Sequence, residues 1–315
     1  MLRAVIGGRI PRSPRHVVLG MASLQNGSSP VRIGNTLTIR TVVKITKTSE
    51  ASKVATMKTL NEDVLKLHSK GEFTQASYAA DYAIQKAKEL FGDDHVALAS
   101  AFANRGFIAK ELGDYEDAVE LYELALHVYE KQDKAQHGKT VVLQNLGNVL
   151  RTVANQERNP TKKKEFRERA KVILEQAVEA IKASDGDNSL KYASALQKLA
   201  NVNKDIRDFA TAELLLRTAM QTAETVDAAS RVLFSIKNDL GLVLKLRGDS
   251  FDEARELYES ALEYAINKFG ETHKETIIYK HNLAELLDTN EATKHEATRL
   301  RMNILLNDPS QSHSS

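Results

Sequence analysis

A pair of alanines seven residues apart recurs along most of this 315-residue chain. It stands at Ala76/Ala83, Ala118/Ala125, Ala170/Ala177, Ala212/Ala219 and Ala254/Ala261, and successive first members lie 42, 52, 42 and 42 residues apart. Seven residues make two helical turns on one face, where small side chains let a neighbouring helix approach closely. The one long spacing contains a polar stretch, ANQERNPTKKK, which reads as an insertion. A second small residue marks the helix preceding a pair: Gly106, Gly147, Ala200, Gly241 and Ala284. The pattern predicts five helix pairs and a degenerate sixth from about residue 272 to 307, all sharing one continuous core.

The second copy, residues 96–131, shows how each unit works. Tyr115, Ala118, Leu121, Tyr122, Ala125 and Leu126 recur at steps of three and four on one face. Gly113 supplies a left-handed residue to end the first helix, and Asp114 is placed to cap the second. The other copies read as helices over about 55–69 and 73–90, 139–153 and 165–183, two within 190–225, and two within 228–268. Thr161, after Pro160, is expected as an N-cap, and Ser250 with Glu253 is spaced as a capping box. A last helix, about 291–307, is expected to close the core and present charge outward. The chain divides into a leader (1–49), the repeat body (50–307) and a short tail (308–315) that reads as disordered.

These residues resemble the tetratricopeptide repeat, a helix pair with a small residue in helix A and two alanines in helix B. The 42-residue period is similar to the kinesin-light-chain type, whose helices are each longer by about a turn. Phe91-Gly92-Asp93-Asp94-His95 and Phe269-Gly270-Glu271-Thr272-His273 resemble that family's inter-repeat turn, without its proline after the histidine. His95 and His273 are expected to pack or hydrogen-bond at these junctions. The resemblance covers about residues 57–307. It implies an all-α, right-handed superhelix whose A helices line the concave side, and a scaffold that binds other proteins.

Composition narrows the chemistry. There is no cysteine, so disulfides, iron–sulfur clusters and thiol catalysis are excluded. No window approaches 18 consecutive apolar residues. Before Glu50 the chain has no acid, but carries Arg3, Arg9, Arg12, Arg15, Arg32, Arg40, Lys44 and Lys47 among many serines and threonines. That composition is the signature of a mitochondrial transit peptide; a plain basic tail, with initiation at Met21, is the alternative. The strand-like stretch 35–47 is assigned to the same leader. Eight of the 44 bases lie there and none of the 42 acids, so its removal would leave a mildly acidic body with little general affinity for nucleic acid.

Neither GxGxxG nor GxxxxGK[ST] nor HExxH occurs, so no enzyme, cofactor or metal site is expected. Two groups of residues point to binding. Four residues after the helix A marker come Lys110, Arg151, Lys204 and Lys245, with His68 at the corresponding place in the first copy. Asn148 and Asn201 follow the marker by one, and Asn104, Asn145 and Asn282 precede it by two. Stacked, these form a basic stripe beside a row of amides, suited to an extended peptide with acidic residues. Asp288 interrupts the stripe in the last copy, and helix ends favour bases in any case. The second group is Arg158, Lys162, Lys163, Lys164, Arg167, Arg169 and Lys171 around the insertion, where a nucleic-acid or anionic-lipid contact competes with simple solvation. Phe166 stands alone there, so base stacking has no support.

The expected function is a non-catalytic scaffold or assembly factor in mitochondria, in the matrix by preference, working within a larger complex. The plan is similar to that of a mitochondrial tetratricopeptide factor in respiratory complex III assembly. A mitoribosomal accessory subunit and a cytosolic kinesin-light-chain-like cargo adaptor are the alternatives. The adaptor's N-terminal heptad coiled coil is not visible.

Overall fold

The computed structural model describes residues 49–132, 136–248 and 250–307. Among them every regular element is helical: α1 (Glu50–Ser69), α2 (Phe73–Phe91), α3 (Val96–Leu112), α4 (Tyr115–Glu130), α5 (Gln136–Gln156), α6 (Pro160–Asp185), α7 (Leu190–Asp205), α8 (Phe209–Asp227), α9 (Arg231–Arg247), α10 (Phe251–Phe269), α11 (Lys274–Leu287) and α12 (Lys294–Asn307). A short 3-10 turn, Glu291–Thr293, leads into α12. The expected helix pairs are all present, with odd-numbered helices as A and even-numbered as B. The leader and tail expectations fall on residues 1–48 and 308–315, outside the described residues.

Each helix packs on its neighbours in the chain. Consecutive A helices also touch one another, whereas consecutive B helices stand further apart. The A side is therefore the tighter, inner side of the stack.

All ten alanines of the recurring pairs are buried. They sit in a seam where small residues of one helix meet large residues of its partner. A Cβ added to Gly106 would lie 3.2 Å from the Tyr122 ring, and one on Gly241 would lie 3.1 Å from Tyr258. At Gly147 the corresponding contact is Leu174, at 2.5 Å. The first pair reverses the sizes. Val64 takes the marker position and Ala80 the position of the large residue, and both are fully buried in one cluster with Ala76 and Ile108. In the sixth pair, Ala297 and Ile304 replace the two alanines at the same spacing.

The junction histidines cap A helices. His95 Nδ1 accepts from the Ala97 N–H at 3.1 Å while its ring stacks on Phe91 at 4.2 Å. His273 Nδ1 accepts from Glu275 N–H at 3.3 Å and stacks on Phe269 at 4.6 Å. Gly113 adopts the left-handed conformation the turn requires, with φ of 85°. Arg207 takes that conformation without glycine, at φ of 68°.

Six local expectations are corrected. Helix α1 starts at Glu50, not near 55, because the Ser49 hydroxyl accepts from Ser52 N–H and extends the helix by over a turn. Asp114 occupies the N-cap position, but its side chain makes no cap bond. Ser250 likewise makes no side-chain cap bond, and Glu253 is drawn instead to Arg217 of α8 at 2.8 Å, so the capping box is not formed. The insertion is helix rather than loop: α5 has 21 residues and α6 has 26, separated by three. There Asn159, not Thr161, is the cap, its Oδ1 accepting from the N–H groups of Thr161 (2.9 Å) and Lys162 (3.2 Å), with Pro160 in the first helical position. Finally, α12 does close the core, but its outer side exposes Met302, Leu305 and Leu306 as well as charge.

Candidate partner-binding face

Along the inner side, A helices are joined by polar side chains spaced about one repeat apart. Asn104 of α3 donates to Asn61 Oδ1 of α1 at 2.8 Å, and Asn282 of α11 donates to Asn238 Oδ1 of α9 at 2.8 Å. Between α7 and α9, Asp239 accepts from Gln197 at 2.8 Å and from Asn201 at 2.7 Å. These amides are committed to neighbouring repeats.

The same holds for the expected basic stripe. Lys110 meets Glu111 at 2.7 Å and lies over the Phe107 ring at 4.7 Å. Arg151 Nε donates to Asp205 at 2.7 Å, joined by Asn155 at 3.2 Å. Lys204 stands 4.0 Å from the same carboxylate, and Lys245 meets Glu285 at 2.6 Å. Burial holds Lys204 below the usual lysine pKa, against the opposing pull of Asp239 and Asp205. His68 is wedged between the rings of Phe73 and Phe107. All four bases thus face carboxylates, and the stripe is close to neutral. Of the acids that neutralise it, Glu111 and Asp205 lie five residues after their markers but Glu285 lies one after its own, so no unbroken row of acids stands out in the sequence. Asp288, on its own, pairs with Arg301 at 3.0 Å.

Two asparagines differ. Asn145 and Asn148 on α5 are half-buried and make no side-chain hydrogen bond among the described residues. Next to them on the inner side is a residue of another kind, a lysine in the same row as the amides. The position two before the marker, occupied by Asn104, Asn145 and Asn282, is Lys198 in the fourth copy and Asp239 in the fifth. The Lys198 ammonium reaches from α7 to α5 and donates to Gln144 Oε1 at 2.6 Å and to Ser194 Oγ at 3.2 Å. Among the described residues it has no ion pair, and burial pushes its pKa down to about 8. Following the whole row rather than its asparagines would have exposed it.

The residues around the insertion do not act as one patch. Arg169 pairs with Glu123 of α4, and Arg167 donates to Asn155 at 3.4 Å. Arg158, Lys162 and Lys164 are exposed, with Lys163 and Lys171 half-buried, around the first turns of α6. The first turn of α6 contains no acid, so these lysines sit against the positive end of the helix dipole. Glu157, in the preceding turn, has its pKa lowered by the Asn159 N–H, helped by Arg158 N–H and the Lys162 and Lys163 charges.

Among the described residues no cluster of histidines and acids could hold a metal, and no helix is long and apolar enough to cross a membrane.

Comparison with known proteins places this architecture. Residues 232–301 and residues 98–131 each match a tetratricopeptide-repeat profile. No curated protein sequence matches the chain. Among solved structures, BtubC (BKLC) from P. vanneervenii is similar at 21% identity and a TM-score of 0.57, over 77% of this chain and 96% of that one. A putative kinesin light chain of nearly identical TPR-like repeats from Podosopora anserina aligns at 16% identity and a TM-score of 0.53, over 70% and 100%. The apo form of RapI aligns at 13% and 0.62, over 81% and 84%. At these identities the likeness is one of fold.

Proposed function

The chain is built of tetratricopeptide repeats in an all-α superhelix, and from that premise we propose that it is a non-catalytic scaffold which holds an extended segment of a partner protein across the inner faces of α5 and α7. The observation that carries this reading is the contrast within the inner surface. Asn104, Asn201 and Asn282 are engaged with neighbouring repeats, whereas Asn145 and Asn148 keep their amide groups open. An amide offers a donor and an acceptor at fixed spacing, which suits the backbone of a strand laid along the groove. The acid-free basic leader supports a mitochondrial destination, where such a scaffold would serve assembly of a larger complex.

A second reading, docking on a ribonucleoprotein, rests on the exposed bases Arg158, Lys162 and Lys164 at the start of α6. One experiment separates the two. The tagged full chain is localised, and its native complex is sized with and without nuclease. The scaffold reading expects a mitochondrial complex that resists nuclease and is lost in the Asn145→Ala/Asn148→Ala double variant. A complex that collapses with nuclease and is lost on reversing Lys162, Lys163 and Lys164 to glutamate, while surviving the asparagine changes, would overturn it.

A further inference from the structure

The two ends of the stack differ from its interior and from each other. Eight residues after the first alanine of each pair stands an apolar residue: Ile84, Leu126, Val178, Met220 and Leu262, all buried or half-buried. On α2 this position lies between Asp81 and Lys88, whose side chains reach Arg105 and Phe102 of α3, so it is on the side that holds the next A helix. In α12 the same position is Leu305, and it is 61% exposed. Its two flanking columns also change character. One holds Asp81, Glu123, Glu175, Arg217 and Glu259, then Met302; the other holds Gln85, His127, Glu179, Gln221 and Glu263, then Leu306. Met302 is 61% exposed and Leu306 85%. Keeping those columns polar would have ended the array at no cost to its core, whereas a run of exposed apolar side chains marks a contact surface.

The other end presents a hollow rather than a ridge. Leu60 and Leu67 of α1 with Ala79 and Tyr82 of α2 line a cleft of about 420 Å³, bordered by Asp63, Lys66 and Lys70. It opens away from α3, because Asn61, on the opposite flank of α1, is the residue bonded to Asn104 of α3. A preceding B helix would lie there if the array had one more copy. Asp63 holds the place of Arg105 in the second copy, which pairs with Asp81 of the preceding B helix at 2.9 Å.

We propose that the α12 ridge of one copy docks in the α1–α2 cleft of a second copy, so that chains stack head to tail and extend the superhelix. The contact continues the junction already used five times within the chain. Charge selects it over the symmetric pairings. Arg299 and His295 are exposed beside the ridge, and among the described residues Arg299 and Asp63 have no ion pair. Lys66 and Lys70 border the cleft at the turn between A and B helices, and Asp288 and Glu291 stand at the same turn of the last pair. Head to tail, bases and acids face each other at both places. Ridge on ridge would oppose Arg299 and His295 to their own copies, and cleft on cleft would oppose Lys66 and Lys70. The chain's own flanks match the ridge poorly: residues 308–315 contain no Val, Ile, Leu, Met or Phe, and residues 1–48 carry eight bases and no acid. The contact is heterologous, and each added copy offers a fresh ridge and a fresh cleft, so growth does not stop at two.

Sedimentation of the full chain tests this. Its weight-average mass should climb with concentration and pass that of a dimer. Leu305→Asp blocks the ridge and Tyr82→Asp blocks the cleft; both positions are exposed, at 61% and 49%, and an unchanged helical circular dichroism checks the fold. Met302→Glu, which restores a charge like those the other copies carry there, is a second ridge variant. Each variant alone should stay monomeric where the wild type associates. An equimolar mixture of Leu305→Asp and Tyr82→Asp retains one intact ridge and one intact cleft, and should form dimers and nothing larger. A wild type that is monomeric throughout, a mixture that stays monomeric, or a dimer that stops at two and persists in Tyr82→Asp overturns the proposal. Flotation with phosphatidylserine–phosphatidylcholine vesicles supplies the last arm: a wild-type monomer that floats, and no longer does so in Leu305→Asp, gives the ridge to a lipid surface and overturns it as well.

Discussion

Two surfaces of every A helix follow different rules. The side facing its own B helix is an apolar seam in which sizes are matched: glycine against tyrosine at 106/122 and 241/258, glycine against leucine at 147/174, and valine against alanine at 64/80. The side facing the next A helix is a polar surface in which charges and amides are matched: Arg151 with Asp205, Asn201 with Asp239, Lys245 with Glu285. The seam has no spare volume, yet it leaves the Tyr122 and Tyr258 hydroxyls buried without a partner. The inner surface keeps spare hydrogen-bonding capacity at Asn145 and Asn148 of α5, which make no side-chain bond among the described residues. Stability is concentrated in the first surface, and the second keeps an unsatisfied section that a partner can complete.

The largest effect should come from adding volume to the seam. Ala118→Leu or Ala125→Leu puts three extra carbons where the alanine is fully buried, and Gly147→Val places a side chain where even a Cβ meets Leu174 at 2.5 Å. Overpacking of this kind costs about 1–3 kcal/mol. Each variant should therefore melt below the parent in urea or heat. Melting like the parent would mean that size matching is not what holds the pairs together.

A change of opposite sign is expected on the inner surface. Lys198 has a folded-state pKa near 8 against an ordinary value of 10.5, so the unfolded chain binds more protons between those pH values. Wild-type stability from this group is therefore lowest below pH 8 and recovers as pH rises through 10.5. Lys198→Met should stabilise the fold at pH 7 by about 2 kcal/mol, somewhat below the full linkage value because the bonds to Gln144 and Ser194 are lost. The gap between variant and wild type should narrow as pH rises from 8 toward 10.5. A variant that is less stable at pH 7, or a gap that does not change with pH, would show that Lys198 is a structural strut like Arg151.

The two surfaces were not equally legible in the sequence. Seam residues announce themselves because burial between helices demands a small side chain at one fixed phase, and the alanine spacing therefore reads through even the inserted copy. The Val64/Ala80 exchange escaped only because the sum of two sizes was kept while each size changed. Inner-surface residues obey no such phase. Lys110, Arg151, Lys204 and Lys245 share a register, but Asp205 follows Lys204 directly and Glu285 follows Ala284, so their acids come from different offsets. A row of bases was visible, and its neutralisation was not. The insertion failed for a related reason: a polar composition with proline looks like loop, yet Asn159 and Pro160 form a good helix start and the lysines after it extend α6.

The smallest effect on the fold, and the sharpest division within the inner surface, should come from the asparagines. Asn201→Ala removes the shortest donor from Asp239 and leaves that carboxylate with Gln197 and a long bond from Asn238, and Asn282→Ala strands the Asn238 side-chain carbonyl between α9 and α11. Each should cost about 1 kcal/mol, the usual consequence of leaving one side of a shielded hydrogen bond unmade. Asn145→Ala and Asn148→Ala remove no bond within the chain, and their melting should stay within about 0.5 kcal/mol of the parent. Binding should show the reverse order. Loss of Asn145 and Asn148 should speed dissociation of a bound segment with little change in the association rate, because amide contacts form after encounter and resist salt. Loss of Asn201 or Asn282 should alter binding only as far as it loosens the stack. Urea melts of the four single variants, followed by the dissociation rate of the native complex captured on each tagged variant, decide the matter. Should Asn145→Ala and Asn148→Ala cost as much stability as Asn201→Ala, their amides are already in use, and the open section of the inner surface does not exist.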